Sequence, residues 1–306
     1  MSYSARMQKN QLYSVLLAPR GRMRIADTGA QIAQMYLSPF DQLIGVVGEA
    51  GSGKSILIKG MFPGLELTND DEGVNVRPLP LLDLDSSGFF EPHTYHLDIR
   101  FEMGFTQLHE LATAIEEALK RGKRVIVEHF DLIYPVLKRN ADLLIGVGEE
   151  IIVTRPSLFG PEPKDVTDIV FSSLKFRRMA HSAEDLVEYC LGRRNIYQYS
   201  HDDVRHGFVL SFAEEPDFDI AGLEAEVKSL IEADIPINYL DDTHILIGEI
   251  RHYCTGPRMH VKSTGEILHF RLHQSFLREH ISGRYLLVGI IAVDTQDLAD
   301  LNTLLL

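Results

Sequence analysis

Several features that mark whole classes of protein are scarce in this chain of 306 residues. Its two cysteines, Cys190 and Cys254, are too few for the disulfide framework of a small secreted protein. No apolar run approaches the ~20 residues of a membrane-spanning helix, and the run LLVGIIAV at 286–293 is typical of a buried strand. The N-terminal stretch lacks the hydrophobic segment and the small-residue cleavage site of a signal peptide. We therefore expect a cytoplasmic protein with no membrane partner.

Basic residues are also scarce relative to acidic ones. The chain has 30 Lys and Arg against 44 Asp and Glu, which gives a formal net charge of −14. Nonspecific nucleic-acid binding rests on a surplus of Lys and Arg against phosphate, so this charge disfavours tRNA as a partner. The hydrophobic share of 45% and the charged share of 24% are ordinary for a globular protein, and the length suits one or two domains.

The first half of the chain alternates between strand-like and helix-like segments. A short strand at 12–17 and a helix at 27–37, capped by Asp27 or Thr28, are predicted first. Strands joined through helices favour a mainly parallel sheet with helices on both faces, which is the α/β class. From residue 41 the predicted strands are LIGVVG, GLELTNDD, TYHLDIRF, KRVIVEHFD and EEIIVTRP, and the predicted helices are KSILIKGMF and TQLHELATAIEEALKRG.

The sequence changes character after FGPEPKDV at 159–166, whose prolines and glycine indicate a linker. We predict a nucleotide-binding domain over 1–164, with an N-terminal extension over 1–40, and an α+β domain over 165–306. In this second domain the predicted helices are SAEDLVEYCLG and DIAGLEAEVKSLIEADI, and the runs typical of antiparallel strands are HGFVLSFA, INYL, EIRHY, EILHFRLH and YLLVGIIAV.

The segment GEAGSGKS at 48–55 follows the apolar run LIGVV and precedes a helical stretch, and it matches the phosphate-loop pattern G-x-x-x-x-G-K-[ST]. Glycines let backbone N–H groups turn inward around a phosphate, and the start of a helix adds its positive dipole end. The pattern predicts that Lys54 bridges the β- and γ-phosphates and that Ser55 holds Mg²⁺. The alternative is a plain glycine turn. The residues assigned to ATP or GTP binding are Gly48, Gly51, Ser52, Gly53, Lys54 and Ser55.

Acidic residues near two predicted strand ends complete a candidate catalytic centre. Phosphoryl transfer needs one carboxylate in the Mg²⁺ shell and another that orients the attacking hydroxyl or water. Asp70 and Asp71 follow the predicted strand GLELT, where turn formation is an equal alternative. Glu128 ends the apolar run RVIVE, and a charge at that place favours function because burying it unpaired is costly.

Three segments, GVVGEAGSGKS, the Asp-Asp pair and GKRVIVEHFDLIYP, together resemble the uridine kinase and phosphoribulokinase group of P-loop kinases, over about 41–156. The resemblance implies a P-loop NTPase-type fold with Lys54 at the phosphates. It also implies that Asp70 or Asp71 acts on the hydroxyl of a small-molecule acceptor and that Glu128 lies near Mg²⁺. The arginine-rich lid of the family has no clear counterpart; Arg155, or Arg177 and Arg178, are the candidates to replace it.

A second segment, CTGPRMHVKSTGEILHF at 254–270, resembles the second additional domain of alanyl- and threonyl-tRNA synthetases and of freestanding editing proteins. With HSAEDLVEYCLG upstream, the resemblance spans about 178–293, and some bacterial uridine-kinase-like proteins pair the same two modules in the other order. It implies a Zn²⁺ site with the ligands His181, Asp185, Cys254 and His260.

Two features of this ligand set depart from the family. Asp185 stands where the family has a second histidine, and five residues separate Cys254 from His260 where the family has three. His181 and Asp185 are four positions apart and therefore share a helix face, as a chelating pair requires. The alternative is a domain that has lost its metal, with Cys254 as a small buried hydrophobe.

Three functions are compatible with these motifs. The first is an ATP-dependent kinase or NTPase whose second domain recognises the acceptor. The second is a metal-dependent, editing-like hydrolase of aminoacyl-tRNA or of an amino-acid ester. The third is a non-catalytic sensor that binds nucleotide. The acidic charge and the altered ligand set weigh against the second function, and the missing lid weighs against kinase activity in the first.

Overall fold

The computed structural model of the protein describes residues 13–68, 81 and 93–292. The chain is of mixed α/β character and divides into two compact units. Unit 1 comprises residues up to Leu16 and Met23–Ser172, and unit 2 comprises Leu17–Arg22 and the chain from Ser173 onward. Within the described residues, no helix has both the length and the apolar content that crossing a membrane would need.

Unit 1 contains a six-stranded mixed sheet in the order β1-β6-β5-β2-β4-β3. β2 pairs in parallel with β4 and β5, and β3 pairs in parallel with β4, whereas β5 and β6 form an antiparallel hairpin. The sheet is therefore mixed where the sequence predicted a mainly parallel one. The strands are β1 (Ser14–Leu17), β2 (Leu43–Val47), β3 (Thr94–Asp98), β4 (Arg124–Glu128), β5 (Leu143–Val147) and β6 (Glu150–Thr154).

The helices of unit 1 cover the apolar residues of this sheet. Every residue of β2 and of β5 is buried, which is why both strands are continuous apolar runs without alternation. The amphipathic pattern of one helix brings Leu111, Ile115 and Leu119 to the core at helical spacing. The helices are α1 (Arg22–Tyr36), α2 (Lys54–Met61), α3 (Ile99–Glu102), α4 (Leu108–Lys120) and α5 (Phe130–Leu137).

Several local predictions for this unit need correction. α1 begins at Arg22, so Asp27 and Thr28 lie inside the helix instead of capping it, and the Thr28 hydroxyl donates to the Arg24 carbonyl at 2.9 Å. The described part of the predicted strand GLELTNDD, residues 64–68, forms no strand. Neither β5 nor α5 was predicted; α5 carries Pro135 in its interior, where proline normally disfavours a helix.

A 30-residue helix, α6 (Pro163–Gly192), includes the second half of the predicted linker. Proline is well suited to the first position of a helix because its fixed φ matches and its missing N–H has no helical acceptor. The division between the two units falls inside α6, after Ser172, whereas the sequence placed the domain boundary at 164/165.

Unit 2 has two antiparallel sheets and its own core. The larger sheet has the order β12-β14-β8-β7, with β13 also paired to β14, and the smaller has the order β11-β10-β9. The predicted strand EILHFRLH is wrong for most of its length, because Glu266 belongs to a 3₁₀ turn at Thr264–Glu266 and the strand covers Arg271–Leu272 alone. The elements are β7 (Ser200–Val204), β8 (Gly207–Phe212), α7 (Ile220–Glu232), β9 (Ile237–Asp241), β10 (His244–Ile247), β11 (Ile250–Tyr253), β12 (Arg271–Leu272), β13 (Leu277–Arg278) and β14 (Tyr285–Ile290).

Candidate functional site

The glycine-rich loop joins the end of β2 to the start of α2. Gly53 has φ 93°, a left-handed conformation that disfavours other residues, and it stands immediately before the helix. At Gly48 a β-carbon would lie 2.7 Å from the Val147 carbonyl oxygen and 2.9 Å from the Ser52 hydroxyl oxygen. Glycine is therefore required at both ends of the turn, which keeps the backbone open on its inner side.

The loop presents the start of α2 without a side-chain cap. The first helical hydrogen bond runs from the Leu57 amide to the Gly53 carbonyl at 2.9 Å, so the amides of Lys54, Ser55 and Ile56 have no acceptor within the helix. The Ser52 amide donates to the Glu49 carbonyl at 3.2 Å, which closes the turn. Uncapped amides at the positive end of a helix dipole form an anion-binding geometry.

Three side chains of the predicted site meet at the foot of this loop. The Ser55 hydroxyl donates to Glu128 Oε1 at 2.9 Å, and Lys54 Nζ lies 3.9 Å from Glu128 Oε2. Lys54 Nζ also donates to the Glu49 carbonyl at 3.0 Å, across the loop. The parallel register of β2 with β4 sets Val46 beside Glu128 and so brings the strand-ending acid next to the loop.

His96 on β3 completes the surroundings of Glu128. The Thr68 amide donates to His96 Nδ1 at 3.1 Å, so Nδ1 is the acceptor nitrogen of the ring. The proton of a neutral His96 is then on Nε2, which lies 3.1 Å from Glu128 Oε1 and donates to it. A backbone amide thus fixes the tautomer that holds the carboxylate in place.

These contacts keep Glu128 ionised although it is buried. Burial by itself raises the pKa of Glu128, but the hydrogen bond from His96, the positive charge of that ring when it is protonated, the charge of Lys54 and the hydrogen bond from Ser55 together lower it to about 2. An ionised, buried carboxylate beside a serine hydroxyl is the ligand pair that a magnesium ion takes at a phosphate loop.

Further polar groups lie near the same sheet edge. Asp98 ends β3 directly beside Glu128 in register, and its carboxylate caps α3 by accepting from the Phe101 amide at 3.2 Å. Burial, with the charge of Lys54, lowers the pKa of His129 to about 4, and burial raises the pKa of Asp131. His96 and Asp98 were not predicted as site residues. The sequence signal was TYHLD, a second predicted strand segment in which an acid follows a leucine.

The described part of the chain adds neither the predicted Asp-Asp pair nor the candidate lid arginines Arg155 and Arg177 to this site. Asp70 and Asp71 lie outside the described residues. Arg155, a candidate replacement for the missing lid, is held in a two-pronged ion pair with Asp41, at 2.7 and 2.8 Å, and also donates to the Asp142 carbonyl at 3.1 Å. Arg177 is buried and donates to the Pro19 carbonyl at 2.6 Å. Both guanidinium groups are thus engaged in holding backbone segments.

In unit 2 the structure brings together the four side chains predicted as metal ligands. One ligand atom from each of His181, Asp185, Cys254 and His260 lies within 4.8 Å of the others. His181 Nε2 is 3.2 Å from Cys254 Sγ, which is 3.8 Å from His260 Nε2. His181 and Asp185 occupy successive turns of α6, and Cys254 follows β11.

The contacts of the two ring nitrogens of His260 favour a positive charge between His260 and Asp185. Its Nδ1 lies 3.2 Å from the Pro257 carbonyl, which only accepts, so Nδ1 carries a proton. Its Nε2 lies 2.6 Å from Asp185 Oδ2, and a bare lone pair there would face the carboxylate unfavourably. A second proton or a metal ion satisfies this pair.

The outer contacts determine how His181 and Cys254 would bind an ion. His181 Nε2 lies 3.2 Å from the Gly256 carbonyl, so its proton has to move to Nδ1, which lies 3.8 Å from Glu184 Oε2, before Nε2 can bind an ion. The Gly256 amide donates to Cys254 Sγ at 3.3 Å, which supports a thiolate. Burial, followed by the charge of Asp185, raises the pKa of the Cys254 thiol, so the thiol stays neutral until a cation offsets both effects.

The donor set itself fits zinc. One sulfur, two imidazole nitrogens and one carboxylate oxygen are the ligands Zn²⁺ takes in a tetrahedral site, with bonds of about 2.0–2.3 Å. Donors at such bond lengths stand well over 3 Å apart, so the hydrogen-bonded Asp185–His260 pair has to open slightly for both to bind one ion. The longer distances from Cys254 to the two histidines are already suitable.

Around this group the structure adds charged residues that sequence reasoning missed. Glu188 and His252 form a second possible metal-holding group with Asp185, and Glu184, Glu188 and His201 form a third. Buried Arg20, from the N-terminal segment of unit 2, contacts Glu184 at 2.9 Å and Asp203 at 3.1 Å. Glu184 and Glu188 lie in the quoted helix HSAEDLVEYCLG, one turn apart, which was the available signal.

Comparison with known proteins assigns no family. No family model and no curated protein matches the chain. One similar solved structure is an ornithine aminotransferase from Toxoplasma gondii ME49, at 11% identity over 86% of this chain and 72% of that chain, with a TM-score of 0.22. A likeness of that size carries nothing about fold or activity.

Proposed function

We propose that unit 1 binds ATP or GTP with Mg²⁺ and acts as a uridine-kinase-like phosphotransferase or NTPase. The observation that carries the proposal is the meeting of Lys54, Ser55 and Glu128 beneath an uncapped helix start. A plain glycine turn has no need of a buried lysine whose ammonium lies 3.9 Å from a buried carboxylate that also accepts a 2.9 Å hydrogen bond from a serine hydroxyl.

Each residue has a distinct part in this proposal. The amides at the start of α2 and the Lys54 ammonium bind the phosphates, and Lys54 exchanges its present acceptor, the Glu49 carbonyl, for phosphate oxygens. Ser55 and Glu128 hold the Mg²⁺, which neutralises charge on the phosphates when bound. His96 keeps Glu128 aimed at Ser55.

The strand order supports a nucleotide site at this loop. The chain leaves β2, runs to β3, returns to β4 beside β2 and then adds β5 on the other side of β2. In open α/β sheets, ligands bind outside the carboxyl ends of the strands where the direction of winding reverses. The loop after β2 stands at that point.

Asp98 is a further candidate, beside Asp70 and Asp71, for the acid that acts on the acceptor hydroxyl. The resemblance assigns this role to the acid after the second strand, and the strand that follows β2 in the described chain is β3, which ends at Asp98. Asp98 stands beside Glu128 in the parallel register, so an acceptor hydroxyl near it lies at the same sheet edge as the phosphates.

Titration calorimetry with MgATP and MgGTP tests the proposal. Lys54→Ala removes the ammonium and is expected to lose binding, whereas Lys120→Ala, an exposed lysine at the end of α4, retains it. Equal affinity in wild type and Lys54→Ala would refute the site. A screen of nucleosides, sugars and amino acids for ADP release then separates a phosphotransferase from a sensor that binds nucleotide without turnover.

A second function is favoured by the four-residue group of unit 2. We propose that His181, Asp185, Cys254 and His260 hold Zn²⁺ and that the site hydrolyses an aminoacyl ester, as in editing domains. Zinc analysis of purified protein tests it. Cys254→Ser should lose the metal, and Cys190→Ser, at the other buried cysteine, should keep it. Zinc that is absent from the wild type, or retained by Cys254→Ser, would contradict the centre.

A further inference from the structure

We infer that unit 2 binds a second divalent transition-metal ion beside the first, held by Asp185, Glu188 and His252, with the Asp185 carboxylate bridging the two ions. The inference rests on the proposed metal centre of the four-residue group. One ligand atom from each of the three residues lies within 4.8 Å of the other two.

The two oxygens of Asp185 face different partners. Oδ2 lies 2.6 Å from His260 Nε2, inside the first group, and Oδ1 lies 3.9 Å from His252 Nε2, inside the second. A carboxylate that directs one oxygen to each group is the usual bridge between ions about 3.5–4 Å apart. Asp185 is itself buried, and its position on α6 fixes it between the two sets of ligands.

His252 supplies an independent observation. Its Nε2 atom is buried and forms no hydrogen bond within the described part of the chain. The nearest acidic atom is Asp185 Oδ1, too far away for a hydrogen bond but at a spacing that two ligands of one ion adopt. Buried polar nitrogens without a partner are rare, and an ion between His252 and Asp185 would satisfy this one.

The balance of charge around the second group also favours a cation. Glu184 and Asp185 each lie about one turn before Glu188 on α6, and among the described residues the facing cation is Arg20, which is already paired with Glu184 and Asp203. The other polar groups that face the acids are neutral or titratable: His181, Tyr199, His201, His252 and His260. A divalent ion offsets the remaining buried carboxylates.

The ligands differ in kind between the two positions. The first group includes a thiolate sulfur, which selects Zn²⁺, whereas two carboxylates and one imidazole suit Mn²⁺, Fe²⁺ or Zn²⁺. The second ion is therefore expected to exchange more readily and to accept manganese.

Metal content of the whole chain, loaded with Zn²⁺ and Mn²⁺ and freed of excess, tests the inference. We expect two ions per chain in wild type and one in Glu188→Gln and in His252→Ala. Glu232→Gln and His280→Ala, which change exposed residues of the same types, should keep two. One ion in the wild type that Cys254→Ser removes, while Glu188→Gln and His252→Ala retain it, would overturn the second site and leave the first. No ion at all would overturn both.

A titration of metal-depleted wild type with Co²⁺ avoids any dependence on variant folding. The first equivalent should produce thiolate-to-cobalt absorption, and the second should bind without adding to that band while attenuating the paramagnetic resonance signal of the first through the bridge. Saturation at one equivalent would refute the second site.

Discussion

The Ser55 hydroxyl donates a 2.9 Å hydrogen bond to the Glu128 carboxylate, joining the first turn of α2 to the last residue of β4. The two residues are brought together by the parallel pairing of β2 with β4, so the contact depends on the register of the sheet and not on either segment alone. Because Glu128 is buried, its pKa is set by burial, by the hydrogen bond and charge of His96, by the charge of Lys54 and by this contact with Ser55.

Glu128 should make the stability of unit 1 depend on pH in the acid range. Its pKa is lowered from 4.5 to about 2, so its contribution is fully present above pH 4.5 and is lost as the pH falls toward 2. The shift corresponds to about 3 kcal/mol in the free energy of unfolding. Urea unfolding of wild type and Glu128→Gln should show a difference that shrinks between pH 5 and pH 2.5. A difference that stays constant over this range would contradict the lowered pKa.

Replacement of His96 should destabilise unit 1 more than replacement of an exposed histidine. His96→Phe leaves the Thr68 amide without its acceptor and the Glu128 carboxylate without a donor, at a cost of about 1–3 kcal/mol for each unsatisfied group. His109→Phe, on the exposed face of α4, is the matched control and should stay near wild type. Equal free energies of unfolding for the two variants would show that the His96 contacts are not formed.

The parts of the site that the sequence predicts are those encoded locally. Gly48, Gly53, Lys54 and Ser55 are close in sequence and follow a strand whose residues are all buried, so the motif and its context can be recognised together. Glu128 was predicted because an acid at the end of an apolar run is unusual. The His181 and Asp185 pair was implied by the resemblance to the synthetase domain, and the helical spacing of four positions agreed with it.

The residues that were missed depend on contacts between distant segments. His96 acts on Glu128 only because β3 and β4 pair in register, which no single segment indicates. Arg20 meets Glu184 across 164 positions of the chain. β5 was overlooked because the run LLIGV is separated from β6 by two residues and the two strands form a tight hairpin.

Comparison with Gly122 separates two effects of a side chain at Gly53, which are the steric clash and the strain of the positive φ. Both glycines have positive φ, 93° and 75°, so alanine at either should cost about 1–2 kcal/mol. At Gly122 a β-carbon meets nothing within 4 Å, whereas at Gly53 it would lie 2.6 Å from Ile25 Cδ1. We expect Gly53→Ala to lower the free energy of unfolding by more than Gly122→Ala and to weaken MgATP binding. Adding Ile25→Ala removes the close contact but not the positive φ, so it should restore only part of the lost stability and of the lost affinity. Equal effects of alanine at both glycines would contradict the steric argument.

Replacement of Arg20 should strongly destabilise unit 2, because Arg20 is the partner of two carboxylates in a buried setting. Arg20→Met leaves Glu184 and Asp203 without their cation, and breaking a buried pair on one side costs about 3–5 kcal/mol. Exposed Arg278 is the control, and Arg278→Met should change the free energy of unfolding little. Because the loss comes from the uncompensated Glu184 charge, the double variant Arg20→Met/Glu184→Gln should regain part of the stability in urea unfolding. If the second change adds to the loss instead, Glu184 is held by groups other than Arg20, and the N-terminal segment contributes through packing alone.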